Sequence, residues 1–112
     1  MTQPAGMDAR VHHERAATAV DGIWAIRFLT RRGEQRSELM LSTTGTGLIG
    51  SLDGTAISDG QVADGLIRFG AELAAPAPTR VTCTASVHGD TMSGTAKASR
   101  LSLRFVGTWV AA

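Results

Sequence analysis

Residues 80–90 read Arg80-Val81-Thr82-Cys83-Thr84-Ala85-Ser86-Val87-His88-Gly89-Asp90. Polar and apolar side chains alternate one by one, and the run stops at a Gly-Asp turn. Successive side chains of a strand point to opposite faces, so this pattern predicts a strand with Val81, Cys83, Ala85 and Val87 on one buried face. The same period of two continues in both directions. Downstream, Met92, Gly94 and Ala96 follow, then Leu101, Leu103, Phe105, Gly107 and Trp109 opposite Ser102, Arg104, Val106 and Thr108. Upstream, Ile67, Phe69, Ala71 and Leu73 alternate with Arg68, Gly70 and Glu72. Before them come Leu48, Gly50 and Leu52, then Leu39 and Leu41, then Trp24, Ile26 and Phe28. A weaker strand covers Ala56 to Val62.

Short turn signals separate these runs: Arg31-Arg32-Gly33, Thr44-Gly45-Thr46, Asp53-Gly54, Asp64-Gly65 and His88-Gly89-Asp90. Asp-Gly is a strong hairpin signal, and Pro76 and Pro78 end the strand before them. Eight strands at a spacing of roughly 8–12 residues predict a sandwich or an up-and-down barrel. An open eight-stranded sheet leaves two edges and an uncovered apolar face, and closure removes both. The fold class is therefore all-β, an eight-stranded antiparallel up-and-down meander β-barrel over residues 22–112. Residues 1–21 are an N-terminal tail, disordered or a short helix over Asp8 to Val20 with Asp8 as its cap. At an offset of 44 residues Arg36, Gly45, Leu48 and Gly50 match Arg80, Gly89, Met92 and Gly94. This is either a duplication or the recurrence of turn glycines that any meander shows.

The 112 residues make one domain. Cys83 is the only cysteine, which excludes an internal disulfide, and the N-terminus lacks a secretory apolar core, so a cytoplasmic location is expected. A net charge of +1 argues against bulk electrostatic binding to nucleic acid or a membrane surface. His12 and His13 are adjacent and His88 is remote, with no cysteine or paired carboxylate beside them, so neither a metal nor a cofactor is expected. Gly45-x-Gly47-x-x-Gly50 lies between strands with no helix after it and is not a dinucleotide loop.

Antiparallel alternation assigns the ends of the barrel. Trp24 opens the first strand and Trp109 closes the last, so the two indoles share one end with the tail. The opposite end carries Arg31-Arg32-Gly33, Asp53-Gly54, Ala75-Pro76-Ala77-Pro78 and Lys97-Ala98-Ser99-Arg100. These loops are the expected mouth, and they gather Arg31, Arg32, Lys97 and Arg100 against Glu34 and Asp53. They suit the anionic head of a ligand, or are ordinary solvated turns. The expected ligand-binding residues line the interior: Trp24, Ile26, Phe28, Leu39, Leu41, Phe69, Met92, Leu103, Phe105 and Trp109. The small inward residues Gly50, Cys83, Ala85, Gly94 and Ala96 leave volume, unless flattening of the barrel takes it up. Thr30, Thr43 and Cys83 are the polar side chains placed inward. Glu72 and Arg68 share a face of the fifth strand; a register slip of one residue turns both into the barrel as a candidate acid/base pair.

The Gly22-Ile23-Trp24 triplet at the start of the first strand resembles the calycin group of β-barrels, lipocalins and avidins among them, whose tryptophan plugs the closed end. Lipocalins pair it with a late arginine; here Arg104 or Trp109 stands near that place, a departure. Gly89-Asp90-Thr91-Met92-Ser93-Gly94-Thr95 and Phe105-Val106-Gly107-Thr108-Trp109 resemble small bacterial barrel proteins. The resemblance covers residues 22–110 and implies binding of a small apolar molecule. The biotin-binding residues of avidins have no counterparts, and tyrosine is absent. Similar barrels also include polyketide cyclases, whose ring closure needs shape and exclusion of water more than acids and bases.

Three functions follow. The first is a barrel binding a small apolar molecule with an anionic head. The second is a cofactor-free cyclase or isomerase acting on a polyketide-type intermediate. The third is a homodimer module with a filled core, its interface made of Leu29, Ile49 and Val106.

Overall fold

A computed structural model describes residues 18–74 and 78–112. Nine strand segments occur there: β1 (Gly22–Thr30), β2 (Gly33–Thr44), β3 (Gly47–Leu52), β4 (Thr55–Ala56), β5 (Ser58–Ala63), β6 (Leu66–Leu73), β7 (Thr79–His88), β8 (Thr91–Ala98) and β9 (Leu101–Ala111). Every pairing is antiparallel. The order is β2-β1-β9-β8-β7-β6-β5-β3, and β2 pairs with β3 again, which closes the sheet. The two-residue β4 pairs with β3 and shares one stave with β5. The result is a closed barrel of eight staves in meander order.

The single strand expected over 56–62 is thus two segments. Asp59 has a left-handed backbone (φ 53°), and the β5–β6 ladder steps from Ser58↔Gly70 to Gln61↔Arg68, a bulge. The extra residue bends the stave, and periodicity carries no signal for it. The Asp-Gly turns behave as read: Asp53 and Gly54 have φ of 50° and 86°, Asp64 and Gly65 of 50° and 80°. Two successive positive φ values define the primed turn that matches strand twist.

Alternation sorts the side chains. On β7, Val81, Cys83, Ala85 and Val87 are buried, and on β6 so are Ile67, Phe69, Ala71 and Leu73. The core unites them with Trp24, Ile26, Phe28, Leu39, Leu41, Leu48, Leu52, Met92, Ala96 and Phe105, none more than 7% exposed. The glycines of both Gly-x-Trp triplets are packing residues. At Gly22 a Cβ would overlap the Trp109 indole, and at Gly107 it would lie 2.7 Å from both Ile26 Cδ1 and Met92 Cγ.

The two hairpins related by the sequence offset also share their register. Leu41↔Gly50 and Thr43↔Leu48 in β2–β3 correspond to Ala85↔Gly94 and Val87↔Met92 in β7–β8. At Gly50 a Cβ would strike the Met40 carbonyl, and at Gly94 the Thr84 carbonyl. These two glycines, read from sequence as a source of free volume, are places where neighbouring backbones come together. The inner half of the barrel is lined by side chains that are fully buried.

The helix expected over Asp8–Val20 falls almost wholly on residues 1–17, outside the described residues. Thr18–Asp21 carry no helix.

Candidate functional site

The two ends of the barrel differ. At the tryptophan end, Val20 is buried at 2% exposure under Trp24 and Trp109, which are direct partners across β1 and β9. Trp24 Nε1 donates to the Val20 carbonyl at 3.0 Å, and Trp109 Nε1 to the Asp21 carbonyl at 3.1 Å. The Asp21 carboxylate accepts from the Thr43 backbone N–H at 2.7 Å. Thr18 packs beside Gly65. Each of these contacts joins the segment before β1 to a different strand or turn, and together they seal this end.

At the opposite end the inward faces become half-buried. Thr30, Gln35, Ser37, Ile57, Thr79, Ala98, Leu101 and Leu103 are all intermediate in exposure. Phe28 and Phe105 pack beneath them in a tilted pair, with ring centres 5.5 Å apart. Gln35, Ser37 and Thr79 carry no signal of their own in the sequence, although they continue the parity of Leu39, Leu41 and Val81. Apolar neighbours carry that reading, and strand ends have none. Thr30 is committed locally: its hydroxyl donates to the Gly33 carbonyl at 2.6 Å and accepts the Arg32 backbone N–H at 3.2 Å.

All ten residues expected to line the interior do face inward, but at different depths. Trp24, Ile26, Leu39, Leu41, Phe69, Met92 and Phe105 are buried, Phe28 sits just under the mouth, and Leu103 and Trp109 are half-buried. The four expected mouth cations divide. Arg31 and Arg32 lie in the β1–β2 turn and Arg100 in the β8–β9 turn, and since β1 pairs with β9 these turns are neighbours. Lys97 projects outward from β8 opposite Thr82 and belongs to the outer surface.

The acids expected beside the mouth cations have other partners. Glu34 pairs with Arg27 at 3.1 Å on the exposed face, and Asp53 Oδ1 accepts the Glu38 backbone N–H at 2.8 Å. Arg31, Arg32 and Arg100 therefore form no ion pair with a described residue.

Glu72 and Arg68 are both exposed on the outer face of β6, either side of Gly70. The register that would bury them is not adopted, because Ile67, Phe69, Ala71 and Leu73 take the inner face. Cys83 is buried at 1% exposure, and burial pushes its thiol up to about 12, so it is a protonated core group. No group of three or more potential metal ligands occurs among the described residues.

The expected interface patch is divided. Leu29 lies opposite Glu34 near the mouth, whereas Ile49 lies opposite Ser42 near the sealed end. Ile49 instead groups with Ile23 and Met40, beside a surface groove of about 450 Å³. Comparison of the chain with protein-family models, with curated proteins and with solved structures finds no match.

Proposed function

We propose that this barrel binds a small molecule with a short apolar body and an anionic head, seated at the half-buried mouth. The observation that carries the reading is the asymmetry of the ends: one is sealed by Val20 and two hydrogen-bonded indoles, while the other leaves Leu101 and Leu103 half-buried beside a rim of arginines. A site of this type combines apolar walls with a few polar groups that set orientation. Leu101, Leu103, Ile57 and Phe28 supply the walls, Gln35, Ser37 and Thr79 the polar groups, and Arg31, Arg32 and Arg100 the charge. The bulky buried residues Trp24, Leu39, Phe69 and Phe105 below the mouth favour a compact ligand over a long chain. A closed antiparallel barrel of eight staves is compatible with the calycin likeness of Gly22-Ile23-Trp24.

The test is a set of medium-chain carboxylic acids and their methyl esters, followed by methyl NMR of the leucines. Binding should shift Leu101 and Leu103 and leave Leu41 and Leu48 in place. The double variant Arg31→Glu, Arg32→Glu should weaken the acid about tenfold and the ester little, the scale of a lost charged contact. Leu103→Trp should block both. Equal weakening of acid and ester refutes the anionic head, and an absence of shifts from every compound refutes the site.

A further inference from the structure

A second feature lies on the outside of the barrel and is independent of the mouth. The outer face of β6, β7 and β8 carries a groove of about 860 Å³ whose lining includes Arg68, Gly70, Arg80, Thr82, Lys97 and Asp59. Register fixes the arrangement. Gly70, Thr82 and Lys97 form one row across three strands, since Gly70 pairs with Thr82 and Thr82 with Lys97. Arg68 stands two residues from Gly70 on the same face of β6, and Arg80 two residues before Thr82 on β7. Arg68 lies opposite Thr84 and Arg80 opposite Glu72, so the two arginines stand on either side of the Gly70–Thr82–Lys97 row, and Arg80 and Lys97 are diagonal neighbours about 8 Å apart.

One of the three cations is held in place. Arg80 Nη2 donates to Ser58 Oγ, reaching from β7 across β6 to β5. It passes over Gly70, where a Cβ would stand 2.6 Å from Ser58 Oγ and 3.1 Å from Arg80 Nη2. Glycine at this position is what lets the guanidinium lie flat on the sheet. The side chains of Arg68 and Lys97 form no hydrogen bond or ion pair with a described residue. Of the nearby acids, Asp59 lines the groove and Glu72 lies opposite Arg80, and neither forms an ion pair with the three cations.

Asp59 and Glu72 offset part of this positive charge without forming an ion pair, and the three cations outnumber the two acids. A groove with a positioned arginine, two further cations and a hydroxyl on its floor is matched by an anion of more than one charge. Guanidinium forks hydrogen-bond two oxygens at once, lysine supplies a point charge, and the Thr82 hydroxyl donates once more. A carboxylate carries too little charge and too few oxygens to engage all of these. We propose that this groove binds the phosphoryl group of a small phosphate ester, with Arg68, Arg80 and Lys97 as its cationic contacts and Gly70 as its floor. The groove volume lies in the range of small-molecule sites and leaves room for the organic part beside Pro78 and Ser99.

The test is a backbone amide NMR titration of the full chain at low ionic strength, where surface charges are least screened. The probes are inorganic phosphate, phenyl phosphate, benzoate and a short single-stranded oligonucleotide. Phosphate and phenyl phosphate should shift Gly70, Thr82 and Lys97, with phenyl phosphate the tighter if an ester is the ligand; benzoate should shift them little. Lys97→Gln and Arg68→Gln should each weaken phenyl phosphate about tenfold, and Arg36→Gln on the far side should change nothing. Gly70→Ala should weaken it as well by displacing Arg80. The two charge variants leave the glycine and Ser58 intact, so they decide the matter if Gly70→Ala fails to fold. Shifts spread over all arginines, equal weakening by Arg36→Gln, a response to inorganic phosphate no weaker than to the ester, or tightest binding by the oligonucleotide would each overturn the proposal.

Discussion

The Trp109 indole donates to the Asp21 carbonyl at 3.1 Å, a bond that spans 88 positions of sequence. Its neighbour Trp24 makes the companion bond to Val20, four positions away and wholly buried. The two tryptophans do similar work in different surroundings, and their replacements should differ accordingly. Trp109→Phe removes one bond at a site that water reaches and should cost about 1 kcal/mol. Trp24→Phe leaves the buried Val20 carbonyl without a donor and shrinks a filled site, which should cost about 2–4 kcal/mol. Thermal melts of the two variants should rank Trp24→Phe well below Trp109→Phe.

The seal itself can be opened. Val20→Asp places a charge under Trp24, where no described cation stands, and should release the segment before β1. Acrylamide quenching of tryptophan fluorescence should then rise well above that of the parent protein. Unchanged quenching would show that Val20 does not guard the indole.

The glycines of the β7–β8 hairpin should separate into two kinds. Gly89 sits in a turn with φ 63°, and a Cβ added there would meet nothing within 4 Å. Gly89→Ala therefore costs only the strain of a left-handed residue, about 1–2 kcal/mol. At Gly94 the Thr84 carbonyl and Ala85 occupy the space of a side chain, and Gly94→Ala must push the paired strands β7 and β8 apart. Overpacking of this kind costs about 1–3 kcal/mol, and the clash with backbone here puts Gly94→Ala at the upper end. Urea midpoints would check the order.

Cys83 gives the fold an alkaline limit. Its thiol titrates near 9 when unfolded and is pushed up to about 12 in the barrel by burial, so the folded chain holds this proton more tightly. Below about pH 9 the group contributes its full stability. Above that, unfolding releases a proton and stability falls by up to about 1.4 kcal/mol per pH unit until the folded value is passed. Cys83→Ala should be less stable at neutral pH and show a shallower decline between about pH 9 and 11 in urea melts.

The inner face was legible because each inward position has apolar neighbours two residues away: Val81, Cys83, Ala85 and Val87 are all where alternation puts them. The polarity of the barrel followed from counting turns. Four features escaped for physical reasons. The bulge in β5 lies at the left-handed Asp59, which leaves no trace in hydropathy. Gly50 and Gly94 announce that a side chain is missing but not that a carbonyl has taken its place. Lys97 reads as the start of a loop because Ser99 and Arg100 follow it, although its parity against Ala96 sends it to the outer face. At the mouth, Gln35, Ser37 and Thr79 stand at inward positions without an apolar pattern to point them out.

The pairing of β1 with β9 also governs the order in which the barrel can be made. The other pairings join strands that lie close together in sequence, and each can form as the chain emerges during synthesis. The ladder from Ile23↔Ala111 to Leu29↔Arg104 must wait for the final strand. Until then β1 and β8 are both open edges, each able to recruit a strand from another chain. A chain ending before Leu101 should consequently associate further, and restoring the last strand, even as a separate peptide, should return it to the assembly state of the full chain.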